Sequence, residues 1–279
     1  MSTCILHVSD LHFGARNGLD DPVLEQAVGA LIESARPALV VATGDLTHRC
    51  RPSEHEAAAR YLHELGVPLL VVPGNHDIPL FPPGRFTHPL REFERNWGTD
   101  DVHSSPELLV VGLSSITPWG HQRGRVLSGD LERAETRLRS VEPGVLRVVA
   151  LHHQLAGAPW RSRKRPVSGR SKLLDRLAGA GAELILGGHV HQATIAERRE
   201  FEVVGGDGHT CVLATAPGLG RPRPRRRNEA QGVLVHRADE TEIAVETHVW
   251  REGAWAPTGA RRFSRMPPRR TPSALDEAP

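Results

Sequence analysis

The sequence predicts an α/β protein organised around a parallel sheet, and three observations lead to this fold class. Short apolar runs rich in β-branched residues recur along most of the 279-residue chain and have the length of buried strands. Segments with apolar residues at helical spacing separate these runs, so that two strand-helix-strand crossovers follow one another and imply parallel pairing. Polar side chains that can bind a metal or move a proton stand directly after several strands, where open α/β sheets carry their sites.

The composition favours one large domain and a protein of the cytoplasm. Hydrophobic residues make up 39% of the chain, which is enough to fill a sizeable core. The three cysteines, Cys4, Cys50 and Cys211, are odd in number and widely spaced, as is typical of reduced thiols. The N-terminus has no basic region followed by a long apolar run, and the chain has no stretch of about 18 apolar residues. We therefore expect neither a signal peptide nor a transmembrane segment.

Three strands and two helices are predicted in the first part of the chain. The strands are expected at residues 4–8, 38–42 and 68–72. Asp21 can cap the first helix, and Pro22 fits its first position. Ser53 and Glu56 have the spacing of a capping box that opens the second helix, which is expected to end near residue 65.

The rest of the chain continues this alternation and then changes character. A short helix is expected at 90–96, followed by a strand at 108–113, a helix at 128–141, a strand at 145–151, a helix at 172–177 and a strand at 184–186. Further strands at 200–204, 211–215, 232–235 and 243–249 have the pattern of a meander. The final residues are rich in Arg, Pro and Ser, so we expect one domain over 1–256 and a disordered tail over 257–279.

Five of the predicted strands end in side chains that are able to bind metal ions. These residues are Asp10, His12, Asp45, Asn75, His76, His152, His189 and His191. If the strands share a sheet edge, the ligands converge on one crevice and are too many for a single ion. Carboxylate, imidazole and amide groups without thiolates suit two borderline or hard divalent ions, such as Mn, Fe, Co or Zn. Each fragment alone also fits a structural role, such as a hydrogen-bonded core histidine, but their recurrence after five strands favours a site.

The candidate ligands fall in five short segments. These are Asp10-Leu11-His12, Gly44-Asp45, Gly74-Asn75-His76-Asp77, the apolar run that ends in His152, and Gly188-His189-Val190-His191. In this order they resemble the motifs of the calcineurin-like metallophosphoesterases, over roughly residues 4–250. Within that family the chain is most similar to the bacterial class III cyclic-nucleotide phosphodiesterases. The resemblance implies a four-layer α/β/β/α sandwich of two mixed sheets, with the metal site at the carboxyl ends of the strands.

The same resemblance implies how two metal ions, divalent or of mixed valence, would be held and used. One ion would be held by Asp10, His12, Asp45 and His191, and the other by Asp45, Asn75, His152 and His189, with Asp45 as the bridge. The implied reaction is hydrolysis of a phosphodiester, with 3′,5′-cyclic nucleotides as the leading candidates, by attack of a hydroxide that bridges the metals. His76 would donate a proton to the leaving group. Asp77 would either orient the His76 imidazole or serve as a turn residue.

Two basic segments, 161–170 and 221–227, leave the nature of the partner open. Their cations could clamp a phosphate or attract nucleic acid, or they could form a solvated surface. His153, Arg161 and Arg163 are the candidate substrate-binding residues, and His153, next to the expected ligand His152, could instead lie behind the ligands or at the rim of the site. Nucleic acid is not favoured, because the net charge is only +2 and aromatic residues total 4% of the chain.

Several functions remain open beside cyclic-nucleotide hydrolysis. One alternative is a nuclease, or a phosphodiesterase that acts on nucleotides or lipid headgroups. An alternative of another class is a non-catalytic scaffold that binds metal. Relatives of similar length are often dimers, so the resemblance is also compatible with a homodimer.

Overall fold

The structure, a computed structural model, consists of two six-stranded sheets and the helices that cover them. It describes residues 2–16, 18–19, 21–120, 122–156, 164–201, 210–221 and 229–265. The strands are β1 (Thr3–Val8), β2 (Leu39–Ala42), β3 (Leu69–Val71), β4 (Val102–Ser104), β5 (Leu108–Gly112), β6 (Leu146–Ala150), β7 (Leu184–Gly187), β8 (Thr194–Glu197), β9 (Val212–Thr215), β10 (Gly232–Ala238), β11 (Glu242–Arg251) and β12 (Ala254–Ser264). The helices are α1 (Pro22–Ala35), α2 (Pro52–Glu64), α3 (Gly84–Thr87), α4 (Arg91–Trp97), α5 (Ser128–Arg139) and α6 (Arg170–Gly179).

Both sheets are mixed, as the sequence resemblance implied. The first has the strand order β12-β11-β10-β1-β2-β3, and the second has the order β4-β5-β6-β7-β9-β8. In the first sheet β1, β2 and β3 run parallel, and β10 pairs antiparallel with β1. In the second sheet β5, β6, β7 and β9 run parallel between two antiparallel edge strands. The candidate ligands therefore follow strands of two sheets rather than one.

The alternation of side chains along the strands creates four layers. In β1, Ile5 packs into the apolar cluster between the sheets, whereas Leu6 belongs to the cluster that packs under α1 and α2. In β6, Val148 faces the same inter-sheet core, and Val149 packs with residues of α5 and α6. Strands that are buried on both faces explain why the sequence shows continuous apolar runs. None of the helices within the described ranges is long and apolar enough to cross a membrane.

The first helix begins as the sequence predicted, but the second is capped differently. The Asp21 carboxylate accepts hydrogen bonds from the backbone amides of Val23 and Leu24. The predicted capping box of Ser53 and Glu56 is wrong, because α2 already begins at Pro52. Buried Glu54, in the first turn of α2, instead binds two backbone amides that precede the helix. The Glu54 carboxylate accepts from the amide of Arg49 at 2.7 Å and from that of Arg51 at 3.3 Å.

The later strands do not form the single meander that the sequence suggested. β10, β11 and β12 form an antiparallel meander that extends the first sheet beside β1. β9 instead joins the second sheet, parallel to β7, and β8 at residues 194–197 is a strand that the sequence did not predict. Most of the strand predicted at 200–204 lies outside the described residues. Residues 198–200 form a 3-10 turn, and residues 202–209 lie outside the described part of the chain.

The domain boundary predicted at residue 256 is wrong, because β12 continues to Ser264. The strand pairs with β11 along its length, and Phe263 is buried in the core between the sheets. Its exposed arginines are held by ion pairs: Arg261 with Glu200, and Arg262 with Glu242. A charged edge strand has the low apolar content that the sequence pattern associates with a tail. Residues 266–279 of the predicted tail lie outside the described residues.

Candidate metal centre

Loops from both sheets bring the seven predicted metal ligands together. Asp10 and His12 follow β1, Asp45 follows β2, Asn75 follows β3, His152 follows β6, and His189 and His191 follow β7. All seven are buried, and the most exposed of them, His12, has only 7% of its surface accessible. Charged and polar groups are rarely buried this completely unless partners or ions compensate them.

The first group of ligand atoms belongs to Asp10, His12 and His191. Their ligand atoms lie within 4.8 Å of one another. The His191 Nε2 atom is 3.1 Å from the Asp10 Oδ1 atom and 3.3 Å from the His12 Nε2 atom. Two imidazoles and a carboxylate at this spacing form one side of a coordination shell for a divalent ion.

The second group is centred on His152. Its Nε2 atom lies 3.3 Å from Asp45 Oδ1, 3.1 Å from His189 Nδ1 and 3.3 Å from Asn75 Oδ1. The three side chains Asp45, His152 and His189 again have ligand atoms within 4.8 Å of one another. The amide oxygen of Asn75 adds a fourth donor to this side of the centre.

Asp45 connects the two groups. Its Oδ1 atom faces His152 of the second group, while its Oδ2 atom lies 3.8 Å from the Nε2 atom of His12 in the first. One carboxylate with an oxygen toward each group has the position of a bridging ligand. This is the role that the sequence resemblance implied for Asp45.

Backbone carbonyls and a hydroxyl orient the ligands. The Nδ1 atom of His152 donates to the carbonyl oxygen of Thr43 at 2.7 Å, and that of His12 to the carbonyl oxygen of Thr47 at 3.4 Å. Because a carbonyl only accepts, the Nδ1 atom of each histidine carries a proton, and Nε2 is the nitrogen that faces the centre. The Asp10 Oδ2 atom accepts from Ser9 Oγ at 2.6 Å and from the amide of His189 at 2.9 Å, which leaves Oδ1 to face the first group.

The residues present fit cations at both positions. Asp10 Oδ1 and Asp45 Oδ2 are fully buried and have no hydrogen-bond donor. Burying a carboxylate oxygen without a partner is costly, and a cation between the ligand groups removes that cost. The donor set of carboxylate oxygens, imidazole nitrogens and an amide oxygen suits borderline divalent ions.

The charges within the centre favour ionised carboxylates. Burial opposes ionisation of Asp10, but the imidazoles of His191 and His152 outweigh it and hold the pKa of that carboxyl well below its usual range. Burial likewise opposes protonation of His152, yet the carboxylate of Asp45 raises the pKa of that histidine to about 9. Burial and the nearby Lys164 ammonium lower the pKa of His189.

Five of the seven ligands occupy left-handed backbone conformations. Asp10, His12, Asp45, His189 and His191 have φ angles between 52° and 72°. Such conformations cost energy in residues other than glycine and cluster at functional sites. The loops also pack closely: a Cβ atom on Gly74 would lie 2.0 Å from the amide nitrogen of Asp45, which explains the glycine there.

His76 lies at the edge of the first group, and the residue that orients it is not the predicted one. Its Nδ1 atom donates to the backbone carbonyl oxygen of His48 at 2.8 Å, and its ring meets that of His12 edge-on with centroids 4.9 Å apart. The Asp77 carboxylate instead accepts from the amides of Gly74, Leu46 and Thr47 and from the Thr47 hydroxyl. The expectation that Asp77 orients His76 is therefore wrong. Asp77 instead connects the loop after β3 to the loop after β2.

The predicted substrate-binding residues have different outcomes. His153 is fully buried, with its Nδ1 atom 2.9 Å from Ser115 Oγ and its ring centroid 4.4 Å from that of His189. Of the roles expected for His153, a position behind the ligands agrees with this geometry, and the side chain is not exposed to a substrate. Arg161 and Arg163 lie outside the described residues, as does most of the basic segment 221–227.

Three residues near the centre carry little signal in the sequence. His48 and Thr43 act through backbone carbonyls, so their side-chain types give no indication of this role. Lys164, from the first basic segment, donates to the carbonyl oxygen of His189 and lies 3.4 Å from its Nδ1 atom. The density of cations after His152 was the only sequence signal that pointed to this lysine.

Comparisons with known proteins agree with this geometry. A family model described as calcineurin-like phosphoesterase matches residues 4–193. A probable cyclic nucleotide phosphodiesterase of Rhodococcus erythropolis is 29% identical over 282 residues, covering 93% of this chain and 90% of the relative. A glycerophosphodiester phosphodiesterase of Enterobacter lignolyticus is 37% identical, over only 26% of this chain and 29% of its own. Among solved structures, a purple acid phosphatase from yellow lupin superposes with a TM-score of 0.66 at 14% identity, covering 95% of this chain and 54% of its own.

Proposed function

The chain belongs to the calcineurin-like phosphoesterase family, and from that premise we propose that it hydrolyses small phosphodiesters with two bound metal ions. The observation that carries this proposal is the position of Asp45, with one carboxylate oxygen toward each of two buried ligand groups. A site for one ion would need only one of the two groups.

The roles of the side chains follow from their positions. Two bound cations would acidify a water between them and neutralise the phosphoryl oxygens. Asp10, His12, Asp45 and His191 would hold one cation, and Asp45, Asn75, His152 and His189 the other. Because the His76 Nδ1 proton is held by the His48 carbonyl, the Nε2 atom of His76 is the one that can pass a proton to the leaving oxygen. The alkoxide then leaves as an alcohol.

Cyclic nucleotides are the first substrates to test. The relative from Rhodococcus erythropolis, which aligns with nearly the whole chain, has a name that refers to cyclic nucleotide phosphodiesterase activity. The shorter match to a glycerophosphodiester phosphodiesterase supports a second candidate, a glycerol-type headgroup diester. Both are small diesters with one negative charge at the phosphorus to be attacked.

The proposal also includes the cellular location of the protein and the identity of its metal ions. The three cysteines are buried and none of them forms a disulfide, which supports a reducing compartment such as the cytoplasm. The donor set admits Mn, Fe, Co or Zn, and availability decides among them.

The test is to purify the protein with Mn supplied, determine its metal content by mass spectrometry, and measure turnover. Bis(p-nitrophenyl) phosphate, p-nitrophenyl phosphate, cyclic AMP and glycerophosphoethanolamine would be compared for the wild type, Asn75→Ala and His63→Ala. His63 is an exposed histidine on α2 and serves as a matched control. We expect two metal equivalents and diester cleavage that is lost in Asn75→Ala but kept in His63→Ala. Two bound metals without turnover of any substrate would favour the non-catalytic scaffold.

A further inference from the structure

A cavity of about 410 Å³ lies beside the metal centre. It is lined by Gly14, Ala15, Arg16, His48, Arg49, Arg51 and Glu54. These residues belong to the loops after β1 and β2 and to the first turn of α2, and the same loops carry His12 and Asp45. The cavity is thus built from the segments that hold the metal ligands, although none of its lining residues belongs to the two ligand groups around Asp45.

His48 connects this cavity to the proposed proton donor. Its carbonyl oxygen accepts from His76 Nδ1, and the two imidazole rings stack with centroids 5.8 Å apart. In the proposed reaction the leaving oxygen lies next to the group that protonates it. The part of the substrate that departs with this oxygen therefore lies on the His76 side of the centre, toward the cavity.

The cavity has a net positive charge. Three guanidinium groups line it, against the single carboxylate of Glu54. That carboxylate is buried and engaged with backbone amides, and it approaches only the Arg51 guanidinium, at 3.9 Å. Within the described ranges, no carboxylate lies within 4 Å of the Arg16 or Arg49 guanidinium. Two of the three cations are therefore available to a ligand.

We propose that this cavity binds a phosphate group carried by the leaving group, so that the preferred substrates are linear dinucleotides or short oligonucleotides with a terminal phosphate. The inference rests on the proposed diesterase function. Guanidinium groups match phosphate oxygens with paired hydrogen bonds, and several around one cavity are the usual means of phosphate recognition. A 3′,5′-cyclic nucleotide has no second phosphate, and so it would leave this cavity unused.

The reaction itself is an ordinary hydrolysis. The bond between phosphorus and the leaving oxygen breaks, and a bond between phosphorus and the oxygen of water forms. The leaving oxygen takes a proton from His76, the proton lost by water passes to solvent, and His76 is protonated again from solvent. The arginines bind the remote phosphate and take no part in these bond changes.

The test compares three dinucleotides that differ only in terminal phosphates: thymidylyl-thymidine and its 5′-phosphorylated and 3′-phosphorylated forms. Both phosphorylated forms are needed because either nucleoside can be the one that leaves. We expect one of them to have a kcat/KM at least about tenfold above that of the unphosphorylated dinucleotide, mainly through KM. This ratio falls toward one in Arg16→Gln and Arg49→Gln, and it is kept in Arg60→Gln. Arg60 is an exposed arginine of α2 that does not line the cavity.

The outcomes separate the two proposals. If the wild type cleaves bis(p-nitrophenyl) phosphate and all three dinucleotides at similar kcat/KM, the arginines are only a solvated rim and this inference is overturned, while the diesterase function stands. A phosphate preference that persists in both Arg16→Gln and Arg49→Gln also overturns it, because the phosphate then binds elsewhere. If no diester is cleaved, both proposals fail together.

Discussion

The imidazole of His76 donates through Nδ1 to the backbone carbonyl oxygen of His48, 2.8 Å away. The carbonyl can only accept, so this contact fixes the tautomer of His76 and leaves Nε2 to exchange a proton. A backbone atom in this role cannot be removed by substituting the His48 side chain. His76 is therefore the residue at which the proton transfer can be tested.

We expect His76→Ala to keep both metals and to lose activity in proportion to the basicity of the leaving group. His76 belongs to neither ligand group around Asp45, so metal content should stay at the wild-type value. Cyclic AMP, which expels an alkoxide, should lose about 10²- to 10⁴-fold in kcat. Bis(p-nitrophenyl) phosphate, which expels a stable phenolate, should lose much less. Equal losses on the two substrates would show that His76 does not act as the acid.

Asp45→Asn should weaken both metal positions, whereas Asp10→Asn should weaken one. The reason is geometric, because only Asp45 has an oxygen toward each ligand group. Mass spectrometry after gel filtration should give close to one metal equivalent for Asp10→Asn and markedly less for Asp45→Asn. If both variants keep one equivalent, Asp45 is not a bridging ligand.

Asp77→Asn should destabilise the protein. The Asp77 carboxylate accepts hydrogen bonds from three backbone amides and one hydroxyl, and an asparagine would turn an NH2 group toward these donors. Buried donors left without acceptors cost about 1–3 kcal/mol each, so we expect a loss of about 3 kcal/mol in the free energy of unfolding. Urea denaturation of the wild type and the variant measures this loss in the free energy of unfolding. The control is Glu56→Gln, which removes an exposed carboxylate from α2; similar stabilities for both variants would contradict the structural role of Asp77.

The ligand residues were easier to predict from the sequence than the groups that orient them, because a ligand is recognised by its side-chain type. Asp10, Asp45 and His152 are side chains whose types are read directly from the ends of apolar runs. The partners that orient them are carbonyls of residues such as Thr43, which any residue could supply. The order of residues in the chain also does not show how two adjacent histidines are oriented, which is why His153 was placed among the candidate substrate-binding residues.

A similar limit applies to the fold: local sequence patterns predicted where strands lie, but not which strands pair. Apolar runs located the strands, but their partners depend on long-range packing, so β9 was assigned to a meander rather than to the second sheet. The role of Glu54 was missed because Ser53 and Glu56 fit a familiar spacing, while the N-cap of α2 is Arg51, two positions before Ser53. The edge strand β12 was missed because its outward residues are charged.

The stability of the metal-free protein should fall as the pH drops below about 6.5, partly because of His236. This histidine is fully buried on β10 beside His7, and burial lowers its pKa to about 3. Between these two pH values the unfolded state binds a proton that the folded state does not, so stability decreases as the pH falls. His236 alone contributes about 1.4 kcal/mol per pH unit. Urea denaturation in EDTA from pH 7.5 to 4.5 should therefore give His236→Leu a shallower pH slope than the wild type, and parallel slopes would contradict this account.

Phe263→Ala should cost about 3 kcal/mol in the free energy of unfolding, within the range found for removing a buried phenylalanine. Phe263 lies on β12, is 6% exposed, and packs in the cluster between the two sheets. The matched control is Thr258→Ala, an exposed position on the same strand. If this segment were an unstructured tail, neither substitution would change the free energy of unfolding. A large effect at Phe263 together with a small one at Thr258 would show that this edge of the first sheet is part of the folded domain in solution.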